Sequence, residues 1–442
     1  MNRIIIIENM DYTLNPTENN YISTLLEMNN QIKTALGLRT HPIQLIGASK
    51  IKAVGIIGNI SLDDVNLIIL PKYKEVELDS NLRHKEWIQK LFIRILKCSQ
   101  ENLFSTIYFS RTQVIDDEAI FTDVIAEYYI RILSSALMKA HITTYEEQVE
   151  KITAIKGKIL VQKQISHPVA DSKMWCKYKK MSKNNIFNQL LGWACRYLYS
   201  ATSSVTIKKR LRNISKEFPV SEELLTRKSV RDIKLPRNFA VYNDSIQLAK
   251  SLYLGNANLR EKLSTKGNKI NGYVVNMEKA FENIVRYYIN RTSLELGLMH
   301  KGQARTLLAE HEYNTGLNYH VIPDDLILYK GQKLILDAKY KLISNSKGNQ
   351  KKPHRDDIYQ MISSCLAYNT WEAILIYPEY GQALKHDWNI IQAVNGKPIK
   401  ITACSIDINI SDLELIEVIK TIIKNTIFYS EVINETELSI SV

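Results

Sequence analysis

The sequence is poor in residues that bend, staple or loosen a chain. Glycine (16) and proline (10) are scarce among 442 residues. Collagen-like and linker-like classes are excluded, and long regular elements are expected. The five cysteines, Cys98, Cys176, Cys195, Cys365 and Cys404, stand far apart. They form no CxxC pair and, with the nine histidines, no zinc spacing, so buried thiols are expected rather than a disulfide framework or a structural zinc. No run approaches the about 18 apolar residues of a membrane span. The apolar start, Ile4 to Ile7, stops at Glu8, too short for the core of a signal peptide. These absences predict a cytoplasmic protein with no membrane contact. A GxxxxGK(S/T) loop is also missing, so any nucleotide-driven step would come from another chain.

What is present is a globular balance, with 45% hydrophobic and 24% charged residues, which excludes wholesale disorder. At roughly 100–200 residues per domain, the length suggests two or three domains. The net charge of +12 is unevenly placed. Lys151 to Lys216 holds 15 basic side chains and one acid, Asp171, a net of +14, so the rest of the chain carries −2. A basic middle in a balanced chain is the footprint of a polyanion. Trp175, Tyr178, Trp193, Tyr197 and Tyr199 are interleaved with the charges, where they either stack on bases or pack in a core. Phosphate contact is expected here, through Lys177, Lys179, Lys180 and Lys183. The plainer alternative is a solvated basic face.

Apolar periodicity predicts strands at 3–8, Lys52–Ile60 and Val65–Leu70, then helices at Trp87–Leu96 and Glu118–Met138. Ile155–Gln162 reads as a strand, Ile186–Tyr199 as a helix, and Thr226–Arg237 as a connection. Met277, Ala280, Phe281, Ile284, Val285 and Tyr288 mark one face of a strong helix. An apolar hairpin (Pro323–Lys341), a basic loop (Ser344–Arg355), a helix from about Asp356 and a strand at Ala373–Tyr377 follow. The expected class is α/β (α+β overall), with an N-terminal β-rich module plus helices and a C-terminal mixed sheet flanked by helices. The expected domains are 1–150, 151–240 (basic, partly helical) and 241–442.

The hairpin carries the chemistry. A two-residue turn at Lys330-Gly331 sets Tyr329 opposite Gln332, and stepping outward sets Asp324 opposite Asp337. Side chains alternate faces along a strand, so Asp324, Asp337 and Lys339 share one face and Asp325 points away. Like charges directly opposite destabilise a hairpin. A hard divalent cation such as Mg²⁺ between the carboxylates would compensate, since it is often held by one or two carboxylates plus water and phosphate. The lysine beside it can position a water or offset phosphate charge. The bland alternative is a strand end and a solvated rim pair. Glu282, on the preceding helix beside its apolar stripe, is a candidate third carboxylate. Gln360, on the following helix, is a candidate to orient a water or phosphate.

Asp324, Asp337-Ala338-Lys339, the Glu282 helix and Gln360 together resemble the PD-(D/E)XK restriction-endonuclease superfamily. Val54-Gly55, Leu70-Pro71-Lys72, Ile155 to Ile159, Met277 to Glu282, Leu336 to Tyr340 and Asp357 to Gln360, in that order, resemble the McrC family of McrBC-type restriction systems. Ser364 departs from that pattern, because a tyrosine often follows the helical glutamine by four residues. The resemblance implies a restriction-endonuclease-like C-terminal sheet and Mg²⁺-dependent cleavage of double-stranded DNA. Asp324, Asp337 and Glu282 would then hold the metal, with Lys339 and Gln360 assisting. It further implies an AAA+ GTPase partner of McrB type, which this chain stimulates. Docking to that motor is expected in residues 1–150, whose segment Tyr73 to Leu82 mixes polar and apolar side chains. The competing readings are a stand-alone repair nuclease and a non-catalytic adaptor of an AAA+ enzyme.

Overall fold

Isoleucines at alternate positions build the first strand, Asn2–Ile7, with Ile4 and Ile6 buried and Arg3 and Ile5 exposed. In the computed structural model, residues 2–72, 81–99, 107–109, 119–166, 173–262, 271–313, 315–341, 343, 352–379, 383–390 and 398–440 are described. Most of Tyr73–Leu82 and of the Ser344–Arg355 loop therefore lies outside them. The stretch expected as one strand from Lys52 to Ile60 is two, Lys50–Ala53 and Ile56–Leu62. They part at Gly55, whose φ of 67° suits a residue without a side chain. Of Ile155–Gln162, only Lys158–Ile159 is a strand, and a short helix, Val161–Ser166, follows it.

Two compact units emerge, residues 1–108 with 268–442, and residues 109–267. These units break at 108 and 267, where 150 and 240 were expected, and one strand accounts for the second break. Asn271–Asn276 pairs antiparallel with Ile56–Leu62, which pairs antiparallel with Val65–Leu70, itself parallel to Asn2–Ile7. The late strand thus joins the sheet begun at the N-terminus, with Ile107–Phe109 on its far side. A Cβ on Gly272 would stand 2.0 Å from the Asn59 carbonyl oxygen, so glycine lets the two backbones meet. Behind this sheet, Leu25, Met28 and Ile32 of the helix Ile22–Leu36 join Ile4, Ile6, Ile60 and Leu67 in one core. Each such buried Leu or Ile contributes roughly 2 kcal/mol.

The same unit holds a second, mixed sheet. Among the described residues it runs Met299–Gly302, Asp325–Tyr329, Gln332–Ala338, Glu372–Pro378, Lys400–Ile406 and Lys385–Asn389. Gln332–Ala338, Glu372–Pro378 and Lys400–Ile406 are parallel to one another, and the other pairings are antiparallel. Ile335, Leu375 and Ala403 form a core with Met361, Cys365 and Tyr368 of the helix Arg355–Tyr368. The helix Met277–Glu295 begins directly after the strand Asn271–Asn276, capped by the Asn276 side chain, which accepts from the Lys279 amide at 3.2 Å. The class is the mixed α/β arrangement expected.

The second unit contains the helices Ala119–Leu137, Ile186–Ala201, Val205–Ser215 and Asn243–Lys262. It also contains a sheet of Thr144–Ile152, Met174–Ser182 and Lys158–Ile159.

Candidate active site

Lys330 (φ 45°) and Gly331 (φ 83°) both adopt the left-handed conformation, which makes the tight hairpin turn. Tyr329 pairs with Gln332, and Asp325 with Leu336, the register expected. Asp324 lies one residue beyond the last pair. Its carboxylate Oδ2 accepts from the Ala338 amide at 3.0 Å, over the neighbouring strand beside Asp337. Asp337 is 2% exposed, and its Oδ2 is ion-paired with the Lys339 ammonium. Gln360 reaches Asp337 Oδ1 at 3.5 Å, the outer limit of a hydrogen bond. Glu282 is held by Lys279 at 2.6 Å.

The acids repel one another. Burial raises the Asp337 carboxyl above its ordinary range, and the charges of Asp324 and Glu282 add to this against the pull of Lys339. Burial and then Asp324 raise Glu282 in the same sense. Burial acts to lower the Lys339 ammonium, but Asp337 and Asp324 outweigh it and hold it above its ordinary value. Such acids favour a neighbouring cation. Among the described residues, no three His, Cys, Asp or Glu side chains form a ready-made metal cage. Asp324 and Asp337 nevertheless fit a hard cation that keeps most of its ligands as water and phosphate. Glu282 stands near them without closing a cage.

Two supports escaped the sequence reading. Asp325, 1% exposed on the opposite face, accepts from His300 Nε2 at 2.7 Å and pairs with Arg286 Nε at 3.4 Å. Arg286 also reaches the Asp324 carbonyl at 3.4 Å and its carboxylate at 3.8 Å, so it braces the chain at Asp324. Its signal was its place one helical turn after Glu282. Lys341, two residues after Lys339, holds the buried Asp357 at 2.6 Å, and Tyr377 donates to the same carboxylate at 2.9 Å. Asp357 lies in the helix of Gln360, so this contact sets that helix against the strand.

The basic segment is differently placed. Lys177, Lys179 and Lys180 lie on the strand Met174–Ser182, whose partner strand Thr144–Ile152 carries Glu146, Glu147 and Glu150. Lys179 stands opposite Glu147, Lys180 opposite Glu146, and Lys177 is ion-paired with Glu147. Glu146, Glu147 and Glu150 lie just before Lys151 in the chain, outside the basic stretch. Lys183 is exposed just past the strand. Trp193 stacks on Tyr197 (centroids 5.1 Å apart) and meets Tyr253 edge-on, which is packing within the unit. Tyr178 donates to Glu150 at 2.9 Å.

A family model described as McrBC 5-methylcytosine restriction system component matches residues 51–378. No curated protein matches. Among solved structures, the chain is similar to one in a refined half-complex from a tetradecameric assembly of Thermococcus gammatolerans McrB AAA+ hexamers with bound McrC. The TM-score is 0.57 at 17% identity, over 95% of this chain and 100% of that one. A cryo-EM structure of the Thermococcus gammatolerans McrBC complex gives 0.45 at 18% identity, over 66% and 88%. The first likeness is one of fold, and the second adds nothing to it.

Proposed function

The chain belongs to the McrBC 5-methylcytosine restriction system component family, and from that premise we propose that it is the Mg²⁺-dependent DNA endonuclease subunit of a GTP-driven restriction complex. The observation that carries this reading is the buried Asp337–Lys339 pair with the Asp324 carboxylate lodged beside it on the Ala338 amide. Asp324 and Asp337 would hold the ion, with Glu282 within electrostatic reach. Mg²⁺ bound there would polarise a water and offset phosphate charge. Lys339 orients that water or meets the charge developing on the phosphate, and Gln360 steadies Asp337. The water oxygen bonds to phosphorus and gives up one proton to solvent, one phosphorus–oxygen bond to a sugar breaks, and the leaving oxygen takes up a proton from solvent.

The partner proposed is an AAA+ GTPase, and the solved neighbour is bound to McrB AAA+ hexamers. The docking role proposed for residues 1–150 falls on the first compact unit up to residue 108 and on the start of the second. A non-catalytic adaptor would have no use for buried, mutually repelling acids, and this disfavours it. A stand-alone nuclease would cleave without the motor. Plasmid cleavage by the full chain, with and without the AAA+ partner, GTP and Mg²⁺, tests the proposal. Cleavage is expected only with all three, and Asp337→Ala is expected to abolish it. Undiminished cleavage by Asp337→Ala would remove this centre from the chemistry.

A further inference from the structure

Glu8 is fully buried at the end of the first strand. Its backbone is held on both sides. The Glu8 amide donates to the Leu70 carbonyl at 2.8 Å, and Asn9, in the left-handed conformation, donates to the Ala53 carbonyl at 2.7 Å. The Tyr340 hydroxyl donates to Glu8 Oε2 at 2.6 Å. The backbone amides of Lys72 and Gly55 also face the carboxyl, and Glu278 acts on it from further away. Burying a carboxyl is costly, and an apolar side chain would pack at lower cost. The position therefore asks for a polar reason.

Tyr340 supplies one. Strand pairing around the D-x-K segment ends at Ala338 with Ile376, and one further bond, from the Lys339 amide to the Ile376 carbonyl at 2.8 Å, closes the ladder. Lys339 thus sits at the frayed end of its strand. Tyr340, next in the chain, is fixed by its hydroxyl on Glu8 and by its ring against Phe281, with centroids 5.9 Å apart. Phe281 immediately precedes Glu282. The Gly55 carbonyl accepts from the Met277 amide at 2.9 Å, at the first turn of the helix that carries Glu282. One junction, Glu8 with Gly55, therefore touches both elements that bear the candidate site.

We propose that Glu8 and Tyr340 are positioning residues: the Glu8–Tyr340 hydrogen bond ties the N-terminal module to the strand end at Lys339 and holds its ammonium on Asp337. This rests on the nuclease reading above. Burial pushes the Glu8 carboxyl up to about 8, so it is neutral at pH 7, and glutamine reproduces both its shape and its charge.

The test uses the full chain with its AAA+ partner, GTP and Mg²⁺, and compares Tyr340→Phe, Glu8→Ala and Glu8→Gln with the parent and with Asp337→Ala. Tyr340→Phe keeps the ring on Phe281 and removes only the hydroxyl. Tyr340→Phe and Glu8→Ala are expected to lower kcat by about tenfold to a hundredfold, as for a misplacement of about 1 Å. DNA affinity in Ca²⁺ and stimulation of the partner's GTPase should stay at parental values, and Glu8→Gln should restore the rate. Parental kcat in Tyr340→Phe, with Asp337→Ala inactive, overturns the positioning role. Parallel loss of cleavage, DNA affinity and GTPase stimulation in Tyr340→Phe also overturns it, because the tie would then only support the fold. Activity in Asp337→Ala overturns the nuclease reading instead.

Discussion

Lys339 with Asp337 in the candidate site, and Lys177 with Glu147 in the second unit, are both lysine–carboxylate pairs on β-strands. The side chains of the first pair are 18% and 2% exposed, and those of the second 41% and 53%. Exposed charges keep their water and are screened by salt, so such a pair contributes about 0–1 kcal/mol. Removing one partner of a buried pair strands the other without water, at a cost of about 3–5 kcal/mol. The first pair therefore needs a reason to exist, and the proposed chemistry would supply it. The second is an ordinary exposed pair across two strands.

The largest effect that would sharpen this contrast is on catalysis. Lys339→Gln leaves Asp337 buried without its counter-charge and removes the ammonium proposed to meet the phosphate. Cleavage is expected to fall on the order of a hundredfold to a thousandfold. A rate near that of the parent would make the pair as ornamental as the exposed one.

Asp324 and Asp325 divide the contrast between neighbours. Asp324→Asn should lower cleavage by on the order of a hundredfold with little change in melting temperature. Asp325→Asn should leave cleavage per folded molecule intact but cost about 3 kcal/mol, since Arg286 and His300 lose a buried charge partner. The reverse pattern in denaturation and cleavage assays would mean the two aspartates have exchanged roles.

Glu8 offers a test by pH. Its carboxyl titrates at about 8 in the folded chain, against 4.5 for an ordinary glutamate. Between those values the unfolded chain has released the proton and the folded chain keeps it, so stability falls as pH rises through the window. Glu8→Gln lacks this term. Its melting temperature relative to the parent should climb from pH 5 to pH 8, and a constant difference would return Glu8 to an ordinary value.

The smallest effect belongs to the basic strand. Neutralising Lys177, Lys179, Lys180 and Lys183 together should weaken DNA binding alike across sequences. With Lys177 held by Glu147, the salt slope should drop by only one or two contacts, each about 0.9. An unchanged slope would assign these lysines wholly to the neighbouring acids.

Local rules made much of this protein legible in its residues. Lys330-Gly331 specifies a tight turn, a tight turn sets the register, and the two-residue period of a strand then decides that Asp324 joins Asp337 while Asp325 turns away. The apolar stripe of Met277–Glu295 and the absence of a phosphate-binding loop needed no coordinates either. What only the tertiary structure decided depends on groups far apart in the chain. Asn271–Asn276 joins a sheet begun more than two hundred residues earlier, which ties the end of the chain to its start. The acids of Thr144–Ile152 neutralise a strand that looked purely basic. Glu8, which in the sequence merely ends an apolar run, becomes a buried partner of Tyr340. Turn and strand geometry act over a few residues and can be read from them, whereas burial and long-range pairing exist only once the whole chain has closed around them.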